Sequence, residues 1–208
     1  MKIPTNRLLQ LIFFVVLAGV FLLAYIFFNK KGQVLAKKDR QTDTLVSVFE
    51  SDLKPIFAKP VRLYVPDTGI NAEVQGVGTL LDGVLETPRD WKLLGWYEDG
   101  QLIGQFGNVI INGHYDDNQG LPAAFWELKS LKTGDKVYIV DELGRTNIYT
   151  VSEVFYLDIN DPNRLGIFEV DKTKRILTLV TCGGVWDPYS ENYNKRLIVK
   201  GVFTEAGR

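Results

Sequence analysis

The chain has little of several residue types: among 208 residues there is one cysteine, one histidine and one methionine, and the formal net charge is only −1. A single cysteine excludes an intramolecular disulfide. One histidine and one cysteine are too few ligands for a closed zinc site. Without a positive net charge the chain lacks the usual means of attracting nucleic acid, and we expect no nucleic-acid partner. A content of 46% hydrophobic and 12% aromatic residues is ample for a folded core.

Charge is absent from Leu8–Phe28, which follows a short tail at residues 1–7. A helix of that length spans roughly 30 Å, the thickness of the hydrocarbon core of a bilayer. The alternative is a cleaved secretory signal, with small residues around Ala36 as the cleavage site. The apolar run is longer than a signal peptide requires and ends well before those residues, so residues 8–28 are predicted to be an uncleaved transmembrane anchor. Basic residues flank it on both sides, and charge alone leaves its orientation open.

Residues 29–60 are predicted to be a linker, lysine-rich at first, with a short amphipathic helix that carries Leu45, Phe49 and Leu53 at helical spacing. That helix either packs on the domain or acts as a lid or stalk. From residue 61 the apolar period becomes that of strands. Seven or eight short strands, one short helix within Leu121–Leu131 and no alternation of strand with long helix predict an all-β barrel or closed sheet over residues 61–208.

The only cysteine, Cys182, follows the strand-like run Ile176–Val180. Gly183 and Gly184 are predicted to end this strand, which would place the thiol at the rim of the sheet beside exposed backbone. A nucleophile would be expected at such a position. The alternative is that Cys182 is a small buried apolar residue, since free cysteines are often buried.

The only histidine, His114, ends another apolar run, and a cysteine needs such a base or cationic neighbour to become a useful thiolate. A hydrogen-bonded structural histidine is the alternative. Arg196 begins the last strand, so an antiparallel pairing with the cysteine strand would bring its guanidinium beside Cys182 to stabilise an oxyanion. Asp116 and Asp117 suit either a loose calcium site or a solvated turn.

These residues carry a family resemblance. Thr178–Cys182 matches the sortase signature TLxTC, Asn112–His114 resembles the segment that bears the sortase histidine, and Arg196 resembles the sortase arginine. The resemblance covers about Val61–Phe203 and is nearest to class F sortases. In class F the arginine typically lies in a Tyr-Arg-Asp-Asn run, whereas the run Tyr193–Arg196 places it two positions later, which preserves its face of the strand.

The resemblance implies an eight-stranded β-barrel transpeptidase anchored in the cell membrane by a single pass, with the catalytic domain outside the cytoplasm. Cys182 would attack an LPXTG-like sorting signal to give a thioacyl enzyme, and an amine from a cell-wall precursor or a pilin lysine would release it. His114 would act as acid and base, and Arg196 would stabilise the oxyanion. Thr181 and Trp186 would contact the substrate.

The implied partners are surface proteins that bear a C-terminal sorting signal, the amine acceptor and the membrane. No cofactor is expected, although calcium dependence is possible. Two other functions remain open: a membrane-tethered β-barrel that binds or scaffolds without catalysis, and a peptidase that releases the acyl group to water.

Overall fold

The computed structural model describes residues 19–28, 57–81 and 84–207. Residues 19–28 are helical and belong to the predicted anchor, the rest of which falls outside the described residues. Within these described ranges no helix is both long and apolar enough to cross a membrane. The tail at residues 1–7 and the amphipathic helix predicted around Leu45–Leu53 also lie outside them, so anchor and linker stay predictions.

From residue 60 onward the described chain is mostly sheet. The strands are β1 Pro60–Val65, β2 Ile70–Val77, β3 Leu94–Tyr97, β4 Gly107–Gly113, β5 Lys136–Asp141, β6 Thr146–Asp158, β7 Arg175–Asp187 and β8 Asn192–Gly207. Two short 3-10 helices span Trp126–Ser130 and Arg164–Phe168.

The helix predicted within Leu121–Leu131 is present only as the 3-10 helix Trp126–Ser130. The three residues before that helix direct their amides elsewhere: the N–H groups of Ala123, Ala124 and Phe125 donate to the carbonyls of Tyr115, Trp91 and His114. In a helix that began at Leu121, the N–H of Phe125 would be the first to bond within the helix. Because it donates to His114 instead, the apolar spacing here reflects packing onto the barrel rather than a longer helix.

The strands close into a barrel in the order β1-β2-β3-β4-β7-β8-β6-β5. Neighbours are antiparallel except for two parallel pairs, β2 with β3 and β4 with β7. This arrangement confirms the predicted eight-stranded barrel. The parallel pairing of β4 with β7 matters most for function, because it sets two strands side by side that are far apart in the sequence.

The barrel interior is filled by alternate residues of each strand, as the period-two pattern predicts. On β2 buried and exposed residues alternate from Ile70 to Val74. Val109 and Ile111 of β4 and Leu177 and Leu179 of β7 are at most 1% exposed. These apolar layers fix the relative height of β4 and β7, and thereby the height of the residues at their ends.

Strand β4 is buried on both faces. One face fills the barrel, and the other carries Asn108, Ile110 and Asn112 under two loops. The side-chain amide of Asn108 donates to the carbonyl of Ile167, and that of Asn112 donates to the carbonyl of Glu86. Polar groups buried on this outer face therefore fasten two loops to the barrel wall, and the space between the loops becomes a groove.

The prediction that Gly183 and Gly184 end the cysteine strand is wrong, because β7 continues to Asp187. The chain instead forms an irregularity, with a shift in the pairing between β7 and β8 from Gly183 to Trp186. Gly184 adopts a φ of 85°, which favours glycine, and the next amide, of Val185, donates to the side chain of Asn194. Glycine thus bends this strand without terminating it.

Candidate active site

The strand register places the three predicted reactive residues in one row. Asn112 of β4 pairs with Val180 of the parallel strand β7. His114, the first residue after β4, and Cys182 of β7 each lie two positions further along and therefore at equivalent heights. Arg196 of β8 lies directly opposite Cys182 in the antiparallel pair. The prediction that the last hairpin brings Arg196 beside Cys182 is confirmed.

Thr181 joins the histidine side of this row to the cysteine side. Its side chain is 2% exposed, and its hydroxyl donates a 2.8 Å hydrogen bond to the backbone carbonyl of Gly113. The bond connects the residue before Cys182 to the residue before His114. Thr181 also lines the groove, where a substrate contact is predicted for it.

Cys182 is a free, partly buried thiol at the floor of the groove. Burial raises the pKa of this thiol, the positive charge of Arg196 acts to lower the pKa, and the carboxylate of Asp116 raises it further. The net direction is upward, so the resting residue is held as a neutral thiol. A nucleophile in this state needs a base that removes its proton when the substrate is attacked.

Arg196 is held by three neutral oxygens. Its guanidinium donates to the carbonyls of Tyr193 and Lys195 at 3.2 and 3.0 Å and to the side-chain oxygen of Asn192 at 3.1 Å. Among the residues the structure describes, no carboxylate forms an ion pair with it. The geometry therefore fixes the guanidinium while its positive charge remains available for an anion that develops at Cys182.

The loop between β2 and β3 contacts the imidazole of His114 at two points. Its Nε2 lies 2.8 Å from the backbone carbonyl of Pro88, and its ring packs against the indole of Trp91 with ring centroids 4.3 Å apart. Neither contact was anticipated from the sequence. A backbone carbonyl is independent of residue type, so the contact with Pro88 could not be found from the sequence.

A groove of about 620 Å³ covers the row. His114, Thr181, Cys182 and Arg196 all line it. One wall is formed by Val84, Leu85 and Thr87, and the other by residues from Leu157–Ile159 and from the 3-10 helix Arg164–Phe168. An open channel with apolar walls and a thiol, an imidazole and a guanidinium at its floor suits an extended peptide whose carbonyl is to be attacked.

Trp186, the second predicted substrate contact, is not among the residues that line this groove. Its side chain is 50% exposed, and its ring meets that of Tyr193 edge to face with centroids 5.3 Å apart. It therefore lies beyond the cysteine on the β7 and β8 hairpin, where its exposed surface is open to a ligand that extends past the groove.

The two carboxylates considered for calcium already have protein donors. Asp116 accepts a short hydrogen bond from the hydroxyl of Tyr193, and Asp117 accepts the backbone N–H groups of Gln119 and Leu121. Asp117 thus closes a turn, whereas Asp116 ties the histidine loop to β8. No group of three or more His, Cys, Asp or Glu side chains within the described ranges is arranged to hold a metal ion.

Comparison with solved structures gives the same architecture. Sortase A of Listeria monocytogenes is 23% identical and superposes with a TM-score of 0.54, covering 71% of this chain and 89% of that one. A pilus-related sortase C of Group B Streptococcus is 21% identical over 74% of this chain and 70% of its own, with a TM-score of 0.52. A sortase D5 transpeptidase of Clostridium perfringens is 20% identical over 81% of this chain and 89% of its own, also with a TM-score of 0.52.

At these identities the likeness shows the fold alone, and the assignment nearest to class F stays a prediction. No curated protein matches the sequence significantly. A family model, the sortase domain, matches residues 63–204, which include nearly all of the barrel and every residue of the row. The chain therefore belongs to the sortase family of transpeptidases.

Proposed function

We propose that this chain is a membrane-anchored sortase that cleaves an LPXTG-like sorting signal and transfers the acyl group to an amine. One observation carries the proposal: Cys182 on β7 lies between His114, the residue directly after β4, and Arg196 on β8, at the floor of a groove. A nucleophile, a base and a fixed cation in one row are the components that acyl transfer needs.

In the first half-reaction the thiol proton of Cys182 passes to His114, and the sulfur attacks the carbonyl carbon of the scissile peptide bond. The carbonyl oxygen becomes an oxyanion that Arg196 stabilises. When the C–N bond breaks, His114 returns the proton to the leaving amine, and a thioester remains on Cys182. A thiol held neutral by burial suits this order, because charge appears only once substrate is bound.

In the second half-reaction an amine attacks the thioester carbon. His114 takes the proton of the incoming amine, the oxyanion forms again beside Arg196, and the sulfur leaves as the new amide is completed. The proton then returns to Cys182. The acceptor is a cell-wall precursor or a pilin lysine, and the donor is a surface protein with a C-terminal sorting signal.

The location of such an enzyme follows from its substrates. We place it at the cell membrane, with residues 8–28 as a single-pass anchor and the catalytic domain outside the cytoplasm, where sorting signals and acceptors meet. The uncharged run Leu8–Phe28 supports this proposal. Protease treatment of intact cells should then remove the barrel and leave a small anchored fragment.

The activity is tested by incubating the purified full-length chain with a peptide that contains an LPXTG-like motif. The wild type should gain the mass of the acyl fragment, and the Cys182→Ala variant should not. Adding an amine should then give a ligated product. A folded wild type that no sorting-type peptide acylates would overturn the proposal and favour a binding or scaffolding module, whereas a hydrolysed product that no added amine diverts would identify a peptidase.

A further inference from the structure

The imidazole of His114 meets an acceptor at one of its two nitrogens. Nε2 lies 2.8 Å from the backbone carbonyl of Pro88. A carbonyl oxygen can only accept, so Nε2 must carry the hydrogen of this bond whether the ring is neutral or charged. In the neutral ring the lone pair then lies on Nδ1.

The loop that supplies this carbonyl is fastened by Asn112. The side-chain amide of Asn112 donates to the carbonyl of Glu86 at 2.8 Å and to the hydroxyl of Thr87 at 2.9 Å. Both acceptors come directly before Pro88 in the chain. Asn112 itself lies two residues before His114, so one segment holds both the imidazole and the anchor of its hydrogen-bond partner.

The orientation of the Asn112 side chain is fixed by its surroundings. It is 6% exposed, and its Oδ1 has no hydrogen-bond partner among the described residues. That oxygen lies against the Cα of Gly95, where an added Cβ would come within 2.5 Å of it. Turning the amide over would set Oδ1 against the carbonyl of Glu86, two acceptors face to face. The unsatisfied oxygen costs stability that an apolar side chain of similar shape would not, which points to a role beyond packing.

We infer that Asn112 is a positioning residue for His114: it holds the Glu86–Pro88 segment so that the Pro88 carbonyl keeps the hydrogen on Nε2 and leaves Nδ1 as the atom that exchanges protons. Nδ1 accepts the thiol proton of Cys182, which gives an imidazolium with a hydrogen on each nitrogen, and Nδ1 later gives a proton to the leaving amine. The catalytic part of this inference rests on the proposed function, whereas the tautomer does not.

The second loop of the groove provides a matched control on the same strand. Asn108 is 2% exposed, lies on the same face of β4 as Asn112, and donates to the carbonyls of Ile167 and Glu169 on the other wall. Its oxygen accepts the hydroxyl of Thr178, and none of these three partners belongs to the Glu86–Pro88 segment. Replacing either asparagine with leucine removes a buried side-chain amide of the same size. Only the change at Asn112 releases the segment that contains Pro88.

The test uses NMR of the full-length chain labelled with ¹⁵N-histidine, which gives one imidazole because His114 is the only histidine. The wild type should show the Nε2-protonated tautomer without substrate, Asn112→Leu should show a mixture, and Asn108→Leu should keep the wild-type pattern. In peptide acylation, kcat should fall roughly tenfold to a hundredfold for Asn112→Leu. KM should rise as well, because the segment that Asn112 holds also forms one wall of the groove. Asn108→Leu should change mainly KM.

An Nδ1-protonated ring in the wild type would overturn the inference, and so would an unaltered tautomer in a folded Asn112→Leu variant. If that variant does not fold, Thr87→Val removes one of the two anchoring acceptors at a more exposed position and should give a partial shift toward the mixture; an unchanged tautomer there would count against the inference. If the predicted tautomer is found but no peptide acylates Cys182, the proposed function fails while the role of Asn112 in holding the ring stands.

Discussion

The hydroxyl of Thr181 donates a 2.8 Å hydrogen bond to the backbone carbonyl of Gly113, and so ties the residue before the candidate nucleophile to the residue before the candidate base. Strands β4 and β7 run parallel and are held mainly by backbone bonds that end just short of this point. The side-chain bond extends the connection to the level of Cys182 and His114.

Replacing Thr181 with valine keeps the shape of the side chain and removes this bond. The carbonyl of Gly113 would be left without its buried donor, and we expect a loss of about 1 to 2 kcal/mol in the free energy of unfolding. Acylation of Cys182 at saturating peptide should slow by roughly tenfold, because the base and the nucleophile would no longer be held in register. Thermal melting and the rate of thioester formation measure the two effects.

Thr178→Val is the control, since its buried hydroxyl donates to Asn108 rather than to the histidine segment. A similar loss of stability with a much smaller loss of the acylation rate is expected. Equal losses of rate in the two variants would show that the Thr181 bond acts only through stability.

The ionisation of Cys182 should respond to its two charged neighbours in opposite directions. Burial raises the pKa of the thiol, so alkylation by iodoacetamide should accelerate only at a pH above that of an exposed cysteine. Arg196→Met removes a positive charge that favours the thiolate, and should move the alkylation profile to higher pH. Asp116→Asn removes a negative charge and should move it to lower pH while an acceptor for the Tyr193 hydroxyl is kept.

Lys195→Met serves as the control for overall charge, because Lys195 is adjacent to Arg196 but pairs with Gly183. Its profile should lie close to that of the wild type. Shifts of Arg196→Met and Asp116→Asn in the same direction would contradict the electrostatic account.

A positive charge without the fixed guanidinium should not be enough to replace Arg196. A lysine at this position keeps the positive charge but loses the hold on Asn192, Tyr193 and Lys195, so its ammonium would not be fixed beside the oxyanion. We expect Arg196→Lys to lower kcat/KM for acylation by a factor on the order of 10² to 10³. Arg164→Lys is the comparison, because Arg164 also lines the groove and, among the described residues, its guanidinium donates to the carbonyl of Asp161 alone. Wild-type activity in Arg196→Lys would remove the guanidinium from the mechanism.

The hairpin between β5 and β6 should contribute to stability without contributing to catalysis. Asp141 is 1% exposed, forms a 2.8 Å ion pair with Arg145 and accepts the side-chain amide of Asn147. In Asp141→Asn the new side-chain NH2 would face N–H groups that now donate to the carboxylate. We expect a loss of about 2 to 3 kcal/mol in the free energy of unfolding. Urea denaturation measures the loss. The kcat of the folded variant at low temperature should equal that of the wild type, and a reduced kcat would link this hairpin to the site.

The barrel could be predicted because strand periodicity and turn residues are local signals. The expected antiparallel pairing of the last strand with the cysteine strand correctly placed Arg196 beside Cys182. The rarity of two chemically active residue types made Cys182 and His114 stand out. The end of β7 was predicted wrongly at Gly183, because glycines in a strand can produce an irregularity as well as a stop.

The surroundings of His114 could not be predicted in the same way. Pro88 contributes only its backbone oxygen, and Trp91 reaches the ring through the fold of a loop that has no regular structure of its own. Asn112 was noted only as part of the histidine segment, since an asparagine at the end of a strand more often signals a turn. Contacts of this kind depend on which distant segments the barrel brings together, and that information appears only with the full topology.

The parallel pairing of β4 with β7 also determines the stage of folding at which Cys182 gains its neighbours. In the sequence β5 and β6 lie between these two strands, and β8, which carries Arg196, follows β7. A chain that is still being synthesised, or is still unfolded, therefore carries a lone cysteine with neither base nor cation beside it. The row of His114, Cys182 and Arg196 is complete only once the last strand pairs with β7, so closure of the barrel is the step that assembles the candidate site.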